Sequence, residues 1–149
     1  MTTRPLHSIS VAGIVLDESG RVLVIRRRDN GQWQPPGGVL ELDETFEDGV
    51  VREVFEETGM HVAVERLTGV YKNMSQGVVA LVYRCRPVGG EPRATEESAA
   101  VRWCAFEEIK AHMIPSFAIR IADAMRVDEQ GPTSRAHDGV HLLDRGSDK

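Results

Sequence analysis

The chain is 149 residues long, 41% hydrophobic and 28% charged, with a formal net charge of −5. That is one ordinary domain of average globular composition, which excludes wholesale disorder and a two-domain architecture. The apolar runs are far shorter than the ~18 residues of a membrane helix, no basic leader with a small-residue cleavage site precedes them, and Cys85 and Cys104 lack metal-type spacing, so a cytoplasmic protein with two buried free thiols is expected.

Residues 7–16 are β-branched and alternate loosely, predicting a strand. Residues 17–20 predict a turn and 21–26 a second strand, so the pair reads as a hairpin. Residues 28–43 predict a loop, with Pro35-Pro36-Gly37-Gly38 as a strong breaker. A helix follows over 44–59. Thr45 suits its N-cap, with Asp48 three residues on, and Gly59 suits its C-terminal exit. Residues 62–71 and 78–86 predict strands, 89–92 a turn, and 99–106 a last strand carrying Trp103. Short helices are predicted over 107–112 and 115–126, with Pro115 in a first turn and Met113 and residues 119–121 as helix packing. Beyond residue 126 the pattern fades. Residues 131–135 read as a linker, and 127–149 as a polar C-terminal tail after a domain of residues 1–126. His137 and His141 have an HxxxH spacing, but without the Glu of a protease-type zinc helix. The order of elements implies an α+β domain, layered as α/β/α.

Charge is concentrated in residues 41–57. Glu41, Asp43, Glu44, Glu47, Asp48, Glu53, Glu56 and Glu57 face Arg52 alone, a local charge of −7. That argues against a nucleic-acid-binding surface there. On a helical wheel, Val50, Val51, Val54 and Phe55 share one arc, and Glu53, Glu56 and Glu57 share another. Like charges at this spacing repel, and they lie in the last turns, where the helix dipole disfavours anions. A compensating cation is expected. Three carboxylates on one face suit Mg²⁺ or Mn²⁺, hard ions that take oxygen ligands. Gly49 would let the preceding loop approach, and Gly37 and Gly38 in that loop could add a backbone carbonyl ligand.

Within this region Gly38, Glu44, Arg52, Glu53, Val54, Glu56, Glu57, Gly59 and Met60 match G-x5-E-x7-R-E-U-x-E-E-x-G-U, with U a bulky aliphatic residue. Residues 38–60 thus resemble the Nudix box at every position, and weaker resemblance extends over about residues 8–126. The resemblance implies hydrolysis of a nucleoside diphosphate linked to another moiety, with a divalent metal. The fold it implies is an α/β/α sandwich with a mixed β-sheet, the box forming loop–helix–loop. Carried over by position, Glu53, Glu56 and Glu57 are the metal ligands, helped by the carbonyl of Gly37 or Gly38. Arg52 orients the carboxylates, Glu44 supports them, and Gly59 shapes the helix exit.

The implied chemistry agrees with the physics. A diphosphate linkage is anionic, metal ions screen it and acidify water, and a carboxylate takes the proton. Glu53 is the first candidate for that base. Glu97, on the loop six residues ahead of Trp103, is the alternative that the family resemblance suggests, with Glu96 beside it. Arg26 and Arg27 point to opposite faces of their strand, and the resemblance favours Arg27 for a phosphate. Trp33 is a candidate for stacking on a base. Tyr71, Lys72 and Asn73 occupy a region that selects substrate in related proteins. The Pro of many ADP-ribose hydrolases is replaced by Ser75-Gln76-Gly77. The leading expectation is a Mg²⁺-dependent pyrophosphohydrolase of nucleoside triphosphates, oxidised ones included, releasing monophosphate and pyrophosphate. An ADP-ribose or nucleotide-sugar diphosphatase is the alternative, and a nucleotide-sensing module without turnover is the alternative of another class. The expected partner is a small-molecule nucleotide, without membrane or nucleic acid. A homodimer is left open.

Overall fold

The structure is a computed structural model, described here over residues 3–126 and 131–144. Its layering follows from the period-2 geometry of β1 (Ser8–Val15). Val11 and Val15 pack on one side with Val50 and Val54 of α1 (Phe46–Thr58). Ala12 and Ile14 pack on the other side with Ile121 and Ala124 of α3 (Pro115–Ala124). All eight side chains are buried. One strand therefore feeds two cores, and the sheet lies between helices as an α/β/α sandwich.

On one edge, β1 pairs in parallel with β6 (Val78–Gly90), and on the other it pairs antiparallel with β4 (Gly37–Val39). Next to β6 lies β5 (Met60–Asn73), antiparallel to it. The mixed six-stranded sheet is completed by β8 (Thr133–His137) and β9 (Leu142–Leu143), in the order β4-β1-β6-β5-β8-β9. A three-stranded sheet holds β3 (Trp33–Gln34), β2 (Val22–Arg27) and β7 (Ser98–Cys104), in the order β3-β2-β7. A short helix, α2 (Phe106–Ile109), and a 3-10 turn precede α3. Cys85 and Cys104 are free, the first buried and the second half-buried. Among the described residues no helix is long and apolar enough to cross a membrane.

Three local expectations are corrected. The 17–20 turn forms, with the Gly20 N–H donating to the Asp17 carbonyl at 3.0 Å. The hairpin does not: β1 and β2 meet only in a bridge between Leu16 and Val22. Both edges of β1 are taken by β4 and β6, so β2 leaves for the second sheet. The 28–43 loop contains β3 and β4, two strands too short to show a period. The segment read as linker and tail supplies β8 and β9. Its inward-facing residues, Thr133, Arg135 and His137, are polar, so the strand has no hydrophobic alternation. Residues 127–130 and 145–149 of that tail lie outside the described residues.

Candidate active site

α1 is held at both ends as its sequence predicts. Thr45 Oγ1 accepts the Asp48 N–H at 3.2 Å. Gly59 ends the helix at φ +82°, its N–H donating to the Phe55 carbonyl at 2.9 Å. A side chain is disfavoured there twice over, by the positive φ and by the Glu91 carbonyl 2.5 Å from where a Cβ would stand. These caps set the helix phase. Val50 and Val54 turn into the core, while Glu53, Glu56 and Glu57 turn towards the 37–44 segment.

Arg52 gathers that segment. Its Nε and Nη2 donate to the two carboxylate oxygens of Glu44, and Nη2 also donates to the Val39 carbonyl. Nη1 donates to Glu53 at 3.1 Å and to Glu56 at 3.0 Å. Glu44 in turn accepts the Glu41 N–H at 2.9 Å. The Arg52 hydrogen bonds, with that of Glu41, hold the Glu44 carboxyl at about 2. Gly49 gives this loop its room: a Cβ there would meet Leu40 at 2.6 Å and Glu44 at 3.1 Å. The planar fork of Arg52 spans three carboxylates, a geometry that the point charge of Lys does not reproduce. Arg52→Lys is therefore expected to lower turnover by about 10- to 100-fold, as loss of an orienting partner does. Steady-state kinetics at saturating metal checks this.

Glu53 and Glu57 are buried, whereas the Glu56 side chain is 55% exposed. Glu57 accepts the Gly37 N–H at 2.7 Å and has no ion pair among the described residues. Burial pushes its carboxyl up to about 8 against the pull of that N–H, and Glu53 and Glu97 add to the rise. Burial also raises the Glu53 carboxyl, although Arg52 opposes it. Gly38 is packed against Glu53, with a would-be Cβ 2.5 Å from Oε2. Glu97, distant in sequence, joins this group through its loop. Its N–H donates to Thr95 Oγ1 at 3.2 Å and its carbonyl accepts the Arg28 N–H at 3.0 Å, while Arg28 Nε donates to the Thr95 carbonyl.

The set fits a hard divalent cation in donor type and charge. It is all oxygen, and Glu57 is a buried carboxylate whose neighbours are further carboxylates. Among the described residues no three His, Cys, Asp or Glu side chains stand close enough together to hold a metal ion; Glu53 and Glu56 are turned to Arg52. The fit is one of donor chemistry.

Beside Gly37 and Gly38 opens a cavity of about 340 Å³. Arg27 lines it, its guanidinium also paired with Asp29. The other two residues expected to touch substrate stand differently. Trp33 is half-buried against the α3-side core, with Arg26 over its ring at 5.9 Å, and it does not line the cavity. Tyr71 is fully buried, and its hydroxyl donates to Asp123 at 2.6 Å. Its ring forms wall, and its polar end is committed to the core. Phe117 and Arg120 of α3 and His137 of β8 also line the cavity, and sequence reasoning missed them. The signal for Arg120 was a lone cation in the apolar run Phe117-Ala-Ile-Arg-Ile-Ala. His137 lay in the segment read as tail.

Comparison with known proteins agrees with this geometry. The family model for the NUDIX domain matches residues 6–125. A "MutT-like protein" of Streptomyces ambofaciens is 57% identical over 145 residues, covering 97% of this chain and 93% of that protein. A Bacillus subtilis (strain 168) protein named "Putative 8-oxo-dGTP diphosphatase" is 32% identical over 111 residues, 74% of each chain. Among solved structures, an ADP-ribose pyrophosphatase from Streptococcus suis superposes with a TM-score of 0.75 at 22% identity, covering 89% of this chain and all of that one. This last likeness is one of fold. With the box intact on its capped helix and the family match spanning most of the chain, the protein belongs to the Nudix family and is a pyrophosphohydrolase.

Proposed function

We propose that this Nudix hydrolase cleaves a nucleoside triphosphate to a monophosphate and pyrophosphate, with Mg²⁺ or Mn²⁺ held by Glu53, Glu56 and Glu57 and a carbonyl of Gly37 or Gly38. The cavity carries this reading. At about 340 Å³ it is near the small end of the ~300–1,000 Å³ typical of small-molecule sites. It has room for one nucleoside, with phosphates lying towards the carboxylates. The Bacillus subtilis relative named "Putative 8-oxo-dGTP diphosphatase" supports the same reading.

A bound divalent ion supplies charge screening and a lowered pKa for the attacking water. The remaining work falls to the chain's own residues. Arg27, at the cavity wall and near Glu57 and Glu97, holds a phosphate. Arg52 fixes Glu53 and Glu56 in orientation. Glu97 takes the proton from water: it is exposed and has no ion pair among the described residues, whereas Glu53 accepts from Arg52 at 3.1 Å. Glu97→Gln is expected to lower kcat by about 10²- to 10⁴-fold with metal affinity kept, while Glu53→Gln lowers both. An unchanged kcat in Glu97→Gln assigns the base to Glu53.

The reading is tested by initial rates with Mg²⁺ over a panel of nucleoside triphosphates, oxidised dGTP, ADP-ribose and nucleotide sugars. The best triphosphate is expected to exceed ADP-ribose in kcat/KM by about tenfold or more, the scale of modest pocket discrimination. A preference for ADP-ribose or a nucleotide sugar overturns it.

A further inference from the structure

Arg120 is not accounted for by the fold. It stands among the apolar residues of α3, is 8% exposed, and lies between the rings of Phe117 at 5.0 Å and Tyr71 at 5.1 Å. Among the described residues it pairs with no carboxylate, and its Nε is buried without a hydrogen-bond partner. Burial lowers its pKa to about 10. Two aromatic faces return far less than the desolvation of a guanidinium costs.

His137, on β8, is in the same condition. It is 4% exposed, and its Nε2 is buried without a partner. Its Nδ1 accepts the Gly139 N–H at 3.0 Å, so the neutral ring carries its hydrogen on Nε2. Burial and the charge of Arg120 keep the ring neutral. The 137–139 turn is pinned to α3, since Ser116 Oγ donates to the Gly139 carbonyl at 3.1 Å. Both residues line the cavity that Arg27, Gly37 and Gly38 also line. Both are donors. Asn73, also in the lining, has its side-chain oxygen engaged by the Ser75 and Gln76 N–H groups.

Two residues that line one cavity, each with an unpartnered buried donor, call for a ligand with neighbouring acceptors. We propose that Arg120 and His137 select the base, reading the C6 carbonyl and N7 of a 6-oxopurine and rejecting a 6-aminopurine, whose amino group would set donor against donor. A 4-oxopyrimidine presents one acceptor on that edge and leaves the second donor unpaired. The inference rests on the nucleoside triphosphate reading and adds to it the face of the base that is recognised. It also gives a function to His137 and the turn at Gly139, which lie beyond the family match and line the cavity.

The test is calorimetric titration of the Mg²⁺-loaded protein with GMP, IMP and AMP, which carry no anhydride. GMP and IMP are expected to bind about 5- to 150-fold more tightly than AMP, the range of one good two-point base contact. Arg120→Met is expected to lose that preference by weakening GMP and IMP, with AMP affinity unchanged. Its melting temperature is expected to stay level or rise, because it removes an unpaired buried cation. His137→Phe is expected to reduce the same preference. Equal binding of GMP and AMP by the wild type overturns the selection. So does an Arg120→Met variant that melts lower and still binds GMP normally, which would make Arg120 a structural residue. Failure of all three monophosphates to bind, with no triphosphate hydrolysed, overturns the underlying reading as well.

Discussion

Glu57→Gln is expected to melt about 2–8 °C higher than the wild type without metal, while turnover falls to background. The sign follows from the raised carboxyl. Glu57 goes from an ordinary 4.5 to about 8 in the fold, burial being the main cause, so the folded protein holds this proton more tightly than the unfolded chain. Ionising it costs stability, and the cost accumulates as pH rises from about 4.5 to about 8. Glutamine keeps an acceptor for the Gly37 N–H without the charge. A gain of about 1–2 kcal/mol corresponds to that melting shift in a domain of this size. Metal reverses the order. A ligand at a hundred times its Kd adds about 2.7 kcal/mol to the protein that binds it, and only the wild type receives it in full. Melting curves at pH 8.5 with and without Mg²⁺ therefore cross between the two proteins. A variant that melts lower without metal, or that turns over normally, contradicts the proposed role of Glu57 as a metal ligand.

Asp123→Ala is expected to cost about 3–5 kcal/mol, the range for breaking a buried ion pair, and to lower the melting temperature by about 6–20 °C. Asp123 is 4% exposed. It accepts from Arg135 Nε at 2.8 Å and Nη2 at 2.7 Å, from the Tyr71 hydroxyl at 2.6 Å and from Thr133 at 3.0 Å. One carboxylate thus joins α3, β5 and β8, and its loss leaves a guanidinium and a phenol without their acceptor. Hydrogen exchange at residues 133–137 is expected to speed up selectively, because β8 docks through this group. Burial alone would raise the Asp123 carboxyl, but Arg135, Tyr71 and Thr133 hold it below its ordinary 3.8. Its contribution is full above that value and lost as pH falls below it. The wild type is expected to lose stability below about pH 4 along a slope that Asp123→Asn lacks. Equal melting of Asp123→Ala and wild type contradicts this role.

The carboxylate site was legible because its residues are local. Glu44, Arg52, Glu53, Glu56 and Glu57 sit on one loop and one helix, where spacing translates directly into geometry, and the caps at Thr45 and Gly59 mark its ends. Glu97 needed the resemblance to Nudix proteins, since only tertiary structure brings its loop to Glu57. The cavity beside the carboxylates was not legible. Arg120 and His137 come from separate elements, one within a helix that reads as packing, the other on a strand whose inward residues are polar. The hairpin expectation at β1 and β2 failed for a related reason. A turn and two apolar runs predict pairing, but the edges of β1 are filled by β4 and β6, which local pattern does not record. Tyr71 was singled out by its position after the box; it is fully buried, with its ring in the cavity wall and its hydroxyl on Asp123.

The most direct measurement is the identity of the products when the Mg²⁺-loaded enzyme meets a 6-oxopurine nucleoside triphosphate, separated by chromatography. A single carboxylate-held centre with the base in the adjoining cavity predicts nucleoside monophosphate and pyrophosphate in equal amounts, with neither formed when metal is chelated. Release of orthophosphate and a nucleoside diphosphate, or turnover that persists in chelator, would contradict it.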